Sequence, residues 1–265
     1  MSVPNARTSP IEVSADPDTT WRRLYRVGGL SGILIVVPYL AAIVLISVAP
    51  PPLEASGEQT LEYIAAHKWL YGLEQVLWVA PGVLAMIVFL ALAVALRRLD
   101  SGYAAIAGLV GITAWALTLA LPTSGGGAPV LVYLSNEYTA ATTAERRIAL
   151  ATVAEGLIAE NNTPSFVGVL TTVGILLISL LMVRGVFSRW IAYLGIATGA
   201  IGILSEALRP LIGAGYTVYG VLLLVWFPCA GWSLQRLGRA RVRGGAMPEV
   251  DELEMRGTIA PIDPR

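Results

Sequence analysis

The chain holds one cysteine, Cys229, one histidine, His67, and one lysine, Lys68, in 265 residues. A lone thiol forms no intrachain disulfide, so no disulfide framework exists. Zinc sites draw on three or four His, Cys or carboxylate ligands. One His and one Cys far apart in sequence do not build such a site, so no metal is expected. Bis-histidine haem ligation within the chain is excluded by count. A retinal Schiff base is excluded because Lys68 lies outside every apolar stretch. No cofactor is expected. Charge is also scarce, at 14 % of residues, where soluble domains carry about 25 %. The formal net charge is zero, so no basic field invites nucleic acid.

In place of charge the chain has six long apolar stretches, at residues 27–49, 75–96, 103–121, 166–183, 190–205 and 211–234. None contains Lys, Arg, Asp or Glu. A helix needs about 20 mostly apolar residues to cross a hydrocarbon core of about 30 Å. Backbone groups in lipid must be satisfied within the segment, which makes each stretch a helix. The fold class is therefore all-α: a polytopic transmembrane bundle of six helices, with membrane lipids as its first partners. The first stretch exceeds the h-region of a signal peptide, about 7–15 residues, and Pro50 follows its end. It is read as a retained span.

Residues 1–26 are polar, end in Arg22, Arg23 and Arg26, and read as a disordered tail with a basic anchor. Residues 27–235 form the membrane domain. Residues 236–265, basic and then acidic, read as a second disordered tail. Basic residues favour the cytoplasmic side of a membrane. The tails and the turns at 97–102 and 184–189 hold eleven arginines near the span ends, whereas the other loops hold only Lys68, Arg146, Arg147 and Arg209. Both termini are therefore expected in the cytoplasm, consistent with an even number of spans. One lysine among 18 basic residues points to a GC-rich bacterial genome, and hence to a bacterial inner membrane.

Each long outer loop is predicted to carry an amphipathic helix. Pro50, Pro51 and Pro52 stop the first span. After them Leu61, Ile64, Ala65 and Trp69 share one helical face, suited to lying on the membrane surface. In the second loop Thr142 and Glu145 have the spacing of a capping box. Leu150, Val153, Ala154, Leu157 and Ile158 follow as an apolar stripe within a helix at 142–160. Such a helix either packs on the bundle as a lid or gates an outward-facing cavity.

Small residues mark close helix approaches: Gly28 with Gly32, Gly108 with Gly111, and Gly195 with Gly199. They serve packing within one chain, or a homo-oligomer through a glycine-rich face. Pro38, Pro81 and Pro228 fall inside spans, where they shape the bundle or border a cavity.

Polar residues gather near the outer ends of the spans. Glu74 immediately precedes span two and Trp78 lies within it, Glu206 and Arg209 follow span five, Tyr216 and Tyr219 belong to span six, and Asn161 precedes span four. The plain account is an interfacial belt, with Glu206 and Arg209 as a local ion pair reaching the headgroups. The sharper account is a polar-lined pocket, with Glu74 and Glu206 as candidate catalytic carboxylates and Trp78, Asn161, Arg209, Tyr216 and Tyr219 as ligand-binding residues. Two carboxylates in a half-apolar site suit acid catalysis.

The chain resembles a family of bacterial six-span membrane proteins known as domain of unknown function 4386. The resemblance runs from about Arg22 to Gly238. It is carried by Tyr138-Thr-Ala-Ala-Thr-Thr-Ala-Glu-Arg-Arg147, Ala154-Glu-Gly-Leu-Ile-Ala-Glu-Asn-Asn-Thr163, Leu177-Ile-Ser-Leu-Leu-Met182 and Phe187-Ser-Arg-Trp-Ile-Ala-Tyr-Leu-Gly-Ile196. It implies the six-helix core and the helical outer loop, and it carries no catalytic motif. Three functions remain open: a membrane protein that binds a lipid or small apolar ligand or supports a partner, an intramembrane acid catalyst of the isoprenoid-cyclase type, and a small-molecule transporter.

Overall fold

The computed structural model describes residues 19–50, 56–120, 129–161, 165–185 and 187–239. Every regular element among them is helical. In chain order they are α1 (Arg22–Leu34), α2 (Val36–Val48), α3 (Gly57–Ala66), α4 (Lys68–Val79), α5 (Pro81–Leu96), α6 (Ser101–Ala120), α7 (Pro129–Ala140), α8 (Ala144–Asn161), α9 (Phe166–Met182), α10 (Arg189–Ala207), α11 (Arg209–Ile212) and α12 (Tyr216–Arg239).

Two pairs of these helices are single bent rods. Pro38 has no N–H for the Leu34 carbonyl, and α1 gives way to α2 at Ile35, which stays helical in backbone angle (φ −57°, ψ −27°). Pro81 likewise opens α5 directly after α4, with Ala80 still helical between them. Pro228 sits inside α12 without ending it. Five rods are long and apolar enough to cross a membrane: Arg22–Val48, Lys68–Leu96, Ser101–Ala120, Arg189–Ala207 and Tyr216–Arg239. Phe166–Met182 is apolar and shorter, at 17 residues. The chain is a multi-pass helical membrane protein.

The rods close into a ring. Helix α1 packs on α12 and α5, α5 on α6, α6 on α9, α9 on α10, and α10 on α12. Lipid tails are as apolar as leucine, so close packing rather than water exclusion holds such helices together. Glycine permits it: a Cβ on Gly29 would stand 2.7 Å from the Gly231 carbonyl oxygen, and one on Gly32 would stand 2.9 Å from the Gly231 Cα. Gly28 meets Ala91, Gly195 meets Ser179 and Trp226, and Gly199 meets Leu176. These glycine faces are thus occupied within the chain. The ring is filled by Phe89, Trp115, Trp226 and Phe227, whose rings touch in tilted or edge-on pairs at 5.0–6.2 Å.

The helices overrun the two tail boundaries read from sequence. Residues Arg22 to Arg26 already belong to α1, and α12 runs to Arg239. Arginine stems pack along a helix while the heads reach outward. Arg26 Nε donates to the Gly238 carbonyl at 3.0 Å, and Gln235 Nε2 to the Arg26 carbonyl at 2.7 Å. Thr19–Trp21 form a 3-10 turn ahead of α1, and residues 1–18 and 240–265 lie outside the described ones.

At the other end of the ring α3, α7 and α8 form a small cap with its own core. Leu61, Ile64, Leu131, Leu134, Tyr138 and Ala154 are buried there together with Tyr71 of α4. Ser56 and Gln59 form a capping box that starts α3. The second loop therefore holds two helices; α7 was not read from the sequence. Its stripe differs too. Leu150 and Leu157 pack against the cap core, whereas Val153 is half exposed. On α3, Leu61 and Ile64 are buried against α7 and α8 while Ala65 is exposed, and Trp69, already on α4, is 90 % exposed. The buried parts of the two faces thus pack on one another. The N-cap of α8 shifts by one residue, since the Arg146 N–H donates to Thr143 Oγ1 at 3.3 Å and not to Thr142.

Candidate functional site

Below the cap, the helices line a half-open cavity of about 640 Å³. It forms where the bent rod of α1 and α2 leans away from α12. Its walls come from α2 (Tyr39, Ile43, Ile46), α4 (Glu74, Trp78), α6 (Trp115, Thr118), the start of α9 (Gly168, Thr171), the end of α10 (Glu206), the start of α11 (Arg209) and the first turns of α12 (Tyr216, Tyr219, Gly220). Aromatic and aliphatic side chains dominate the lining, which carries two carboxylates, one guanidinium and three phenols.

Six of the seven residues singled out from sequence line this one space: Glu74, Trp78, Glu206, Arg209, Tyr216 and Tyr219. Asn161 is the last residue of α8, and its neighbour Asn162 lies outside the described residues. Glu74 and Trp78 are one turn apart on α4, and Trp78 Nε1 donates to Glu74 Oε1 at 3.2 Å. Trp78 also leans on Tyr39 of α2, with ring centroids 5.5 Å apart.

Glu206 corrects the expectation of a headgroup-reaching ion pair. Only 3 % of it is exposed. It is covered because the chain turns back at Gly213, whose φ of +46° suits glycine, and this return brings Tyr216 over it. The Tyr216 hydroxyl donates to Glu206 Oε1 at 2.5 Å. Arg209 stands 3.7 Å from Oε2, with its guanidinium over the Tyr216 ring at 4.9 Å. Oε2 itself is buried and accepts no hydrogen bond. On the other side α9 comes so close that a Cβ on Gly168 would overlap the Glu206 carboxylate. Tyr216 and Tyr219 meet edge-on at 5.7 Å.

Sequence reasoning missed Tyr39, Trp115, Gly168 and Thr171. Tyr39 had one signal, a phenol in mid-span next to Pro38, where a bent helix opens room beside it. Thr171 had none, because its hydroxyl donates to the Gly168 carbonyl of its own helix at 2.6 Å. Among the described residues no group of three His, Cys, Asp or Glu could hold a metal ion.

An all-helical ring of apolar rods with a part-polar cavity between them defines a polytopic membrane protein. A family model described as a domain of unknown function, 4386, matches residues 28–236. The chain belongs to that family. No curated protein and no solved structure matches it.

Proposed function

We propose that this protein is a six-span protein of a bacterial inner membrane, with both termini in the cytoplasm, and that it binds a lipid or small apolar ligand in the cavity beneath the cap. The carrying observation is the cavity itself: about 640 Å³, mostly apolar, with its few polar groups converging from α4, α10, α11 and α12. Ligand sites are commonly about 300–1,000 Å³ and have this composition. Helix α9 counts as the sixth span because it packs along both α6 and α10, each long enough to cross. The arginine distribution supports the orientation, which puts the cap and the cavity on the outer side.

A second reading has one observation in its favour: Glu74 and Glu206 line the same cavity, as an acid catalyst acting on an apolar substrate would require. Against it, each carboxylate already accepts a hydrogen bond, from Trp78 and from Tyr216. That engagement suits holding a ligand better than donating a proton.

Native mass spectrometry of the protein released from nanodiscs tests the binding reading. A retained small molecule that is lost in Gly220→Phe supports it. Gly220 is central to the lining face of α12, one turn from Tyr216 and from Leu224, and has nothing within 4 Å of an added Cβ. A bulky side chain there enters open space. Empty wild-type protein across several lipid compositions would refute the reading.

A further inference from the structure

We infer that the cavity selects an amphiphile whose polar end is an organic ammonium bearing N–H groups, held by Glu206 Oε2 and Glu74. The inference rests on the cavity being a ligand site and names the chemistry of its ligand. Three observations converge on it.

The first is a buried acceptor without a donor. Glu206 is 3 % exposed, lines the cavity, and its Oε2 accepts no hydrogen bond. Arg209 at 3.7 Å is beyond hydrogen-bonding length and is turned over the Tyr216 ring. A buried carboxylate oxygen left without a donor is costly; Oε2 is itself covered, and a ligand N–H supplies the donor when the carboxylate turns toward the cavity.

The second is charge. Two carboxylates against one guanidinium leave the lining with an excess of one negative charge when all three are ionised. In a low-dielectric span an anionic or neutral head gains nothing from that excess, whereas a cation neutralises it.

The third is the aromatic wall. Trp78 and Tyr39 meet at 5.5 Å beside Glu74, and Trp115 lines the same space. Their faces attract a cation, and do so best where water is excluded. The apolar remainder, with Ile43 and Ile46, accepts the hydrocarbon.

The ammonium could belong to a free alkylamine or to an aminophospholipid headgroup. The test uses full-length protein in nanodiscs with radiolabelled decylamine, and Gly220→Phe protein in identical nanodiscs supplies the background. Decylamine is expected to bind roughly tenfold more tightly than decanol competes, the ratio that about 1.4 kcal/mol of charge-assisted contact gives. Decanoate is expected not to compete. Glu206→Gln should remove the preference for the amine while decanol still binds. If that variant does not fold, Glu74→Gln, on the same lining, should weaken the preference in the same direction. Displacement by lysophosphatidylethanolamine but not lysophosphatidylglycerol assigns the ammonium to a lipid headgroup; displacement by neither assigns it to a free amine. Equal binding of amine and alcohol, displacement by lysophosphatidylglycerol, or a preference unmoved by both substitutions overturns the inference and leaves the ligand site standing. Absence of any binding above the Gly220→Phe background, together with empty protein in the mass spectrometer, removes the ligand site itself.

Discussion

The Tyr216 hydroxyl meets Glu206 Oε1 at 2.5 Å, and with that bond the start of α12 closes over the end of α10. Glu206 is buried and its second oxygen has no hydrogen bond. Tyr216→Phe would leave both oxygens without a hydrogen-bond donor. Losing a bond to a charged group and stranding a buried acceptor costs about 1.5–3 kcal/mol. We expect Tyr216→Phe to lower the thermal unfolding midpoint of the purified protein measurably. An unchanged midpoint would show that water reaches this carboxylate.

Gly168 faces the same carboxylate from α9, with no room for a Cβ. Gly168→Ala must displace either the Glu206 side chain or the helix. Overpacking of this kind costs typically about 1–3 kcal/mol. Gly72 has nothing near an added Cβ, so Gly72→Ala serves as the tolerated control. The two variants compared by thermal unfolding should separate; equal midpoints would contradict the close approach.

Much of this fold was legible because a membrane imposes a severe rule. Six charge-free stretches have no other stable solution than helices, and the bends at Pro38 and Pro81 follow from the missing N–H. The cap was harder to read. Helix α7 begins Pro129-Val-Leu-Val-Tyr, rich in residues that favour strands, and only the proline at its first position hinted at a helix. The stripes on α3 and α8 were visible, but an apolar face fits a protein neighbour and a membrane surface equally well. At the site, the spacing of Glu206 and Arg209 showed a pair on one helix turn. It could not show that Gly213 would turn the chain back and bury that pair beneath Tyr216. The last span accordingly starts at Tyr216 and not at residue 211.

Orientation is open to direct measurement. With Cys229 replaced by alanine, Ser101→Cys should resist a membrane-impermeant maleimide applied to intact cells, and Glu145→Cys in the cap should react. Both native residues are exposed, so accessibility reports side and not burial. The reverse pattern would place the cap in the cytoplasm.

The cap has its own pH dependence. The Tyr138 hydroxyl donates to Glu58 Oε1 at 2.6 Å. This bond to a carboxylate raises the phenol above its ordinary value of 10, and burial adds to the effect. A group whose folded value is raised contributes stability that is complete below the unfolded value and is lost as pH climbs through the folded one. The bond linking α3 to α7 should therefore hold at neutral pH and weaken above about pH 10. Amide hydrogen exchange in α3 should accelerate in that alkaline range beyond its intrinsic pH dependence. Tyr138→Phe should remove the extra acceleration; if it persists in that variant, another group controls the cap.

Glu74 and Glu206 offer a cycle that separates scaffold from site. Their protein partners differ: Trp78 on α4 for one, Tyr216 and Arg209 for the other. Separate partners make stability effects add, within about 0.3–0.5 kcal/mol for independent sites. Glu74→Gln and Glu206→Gln should thus sum in the double variant when unfolding is measured. Binding should behave differently. Both residues line one cavity, and a single ammonium held between them loses its second contact at little further cost once the first has gone. The double variant should therefore bind decylamine hardly less well than the weaker single variant. Additive losses in binding would mean that the carboxylates act on different ligands or only through the fold. Non-additive losses in stability would mean that they already share a contact in the empty protein. If both single substitutions instead abolish turnover of an apolar substrate in a folded protein, the acid-catalyst reading takes the place of the binding one.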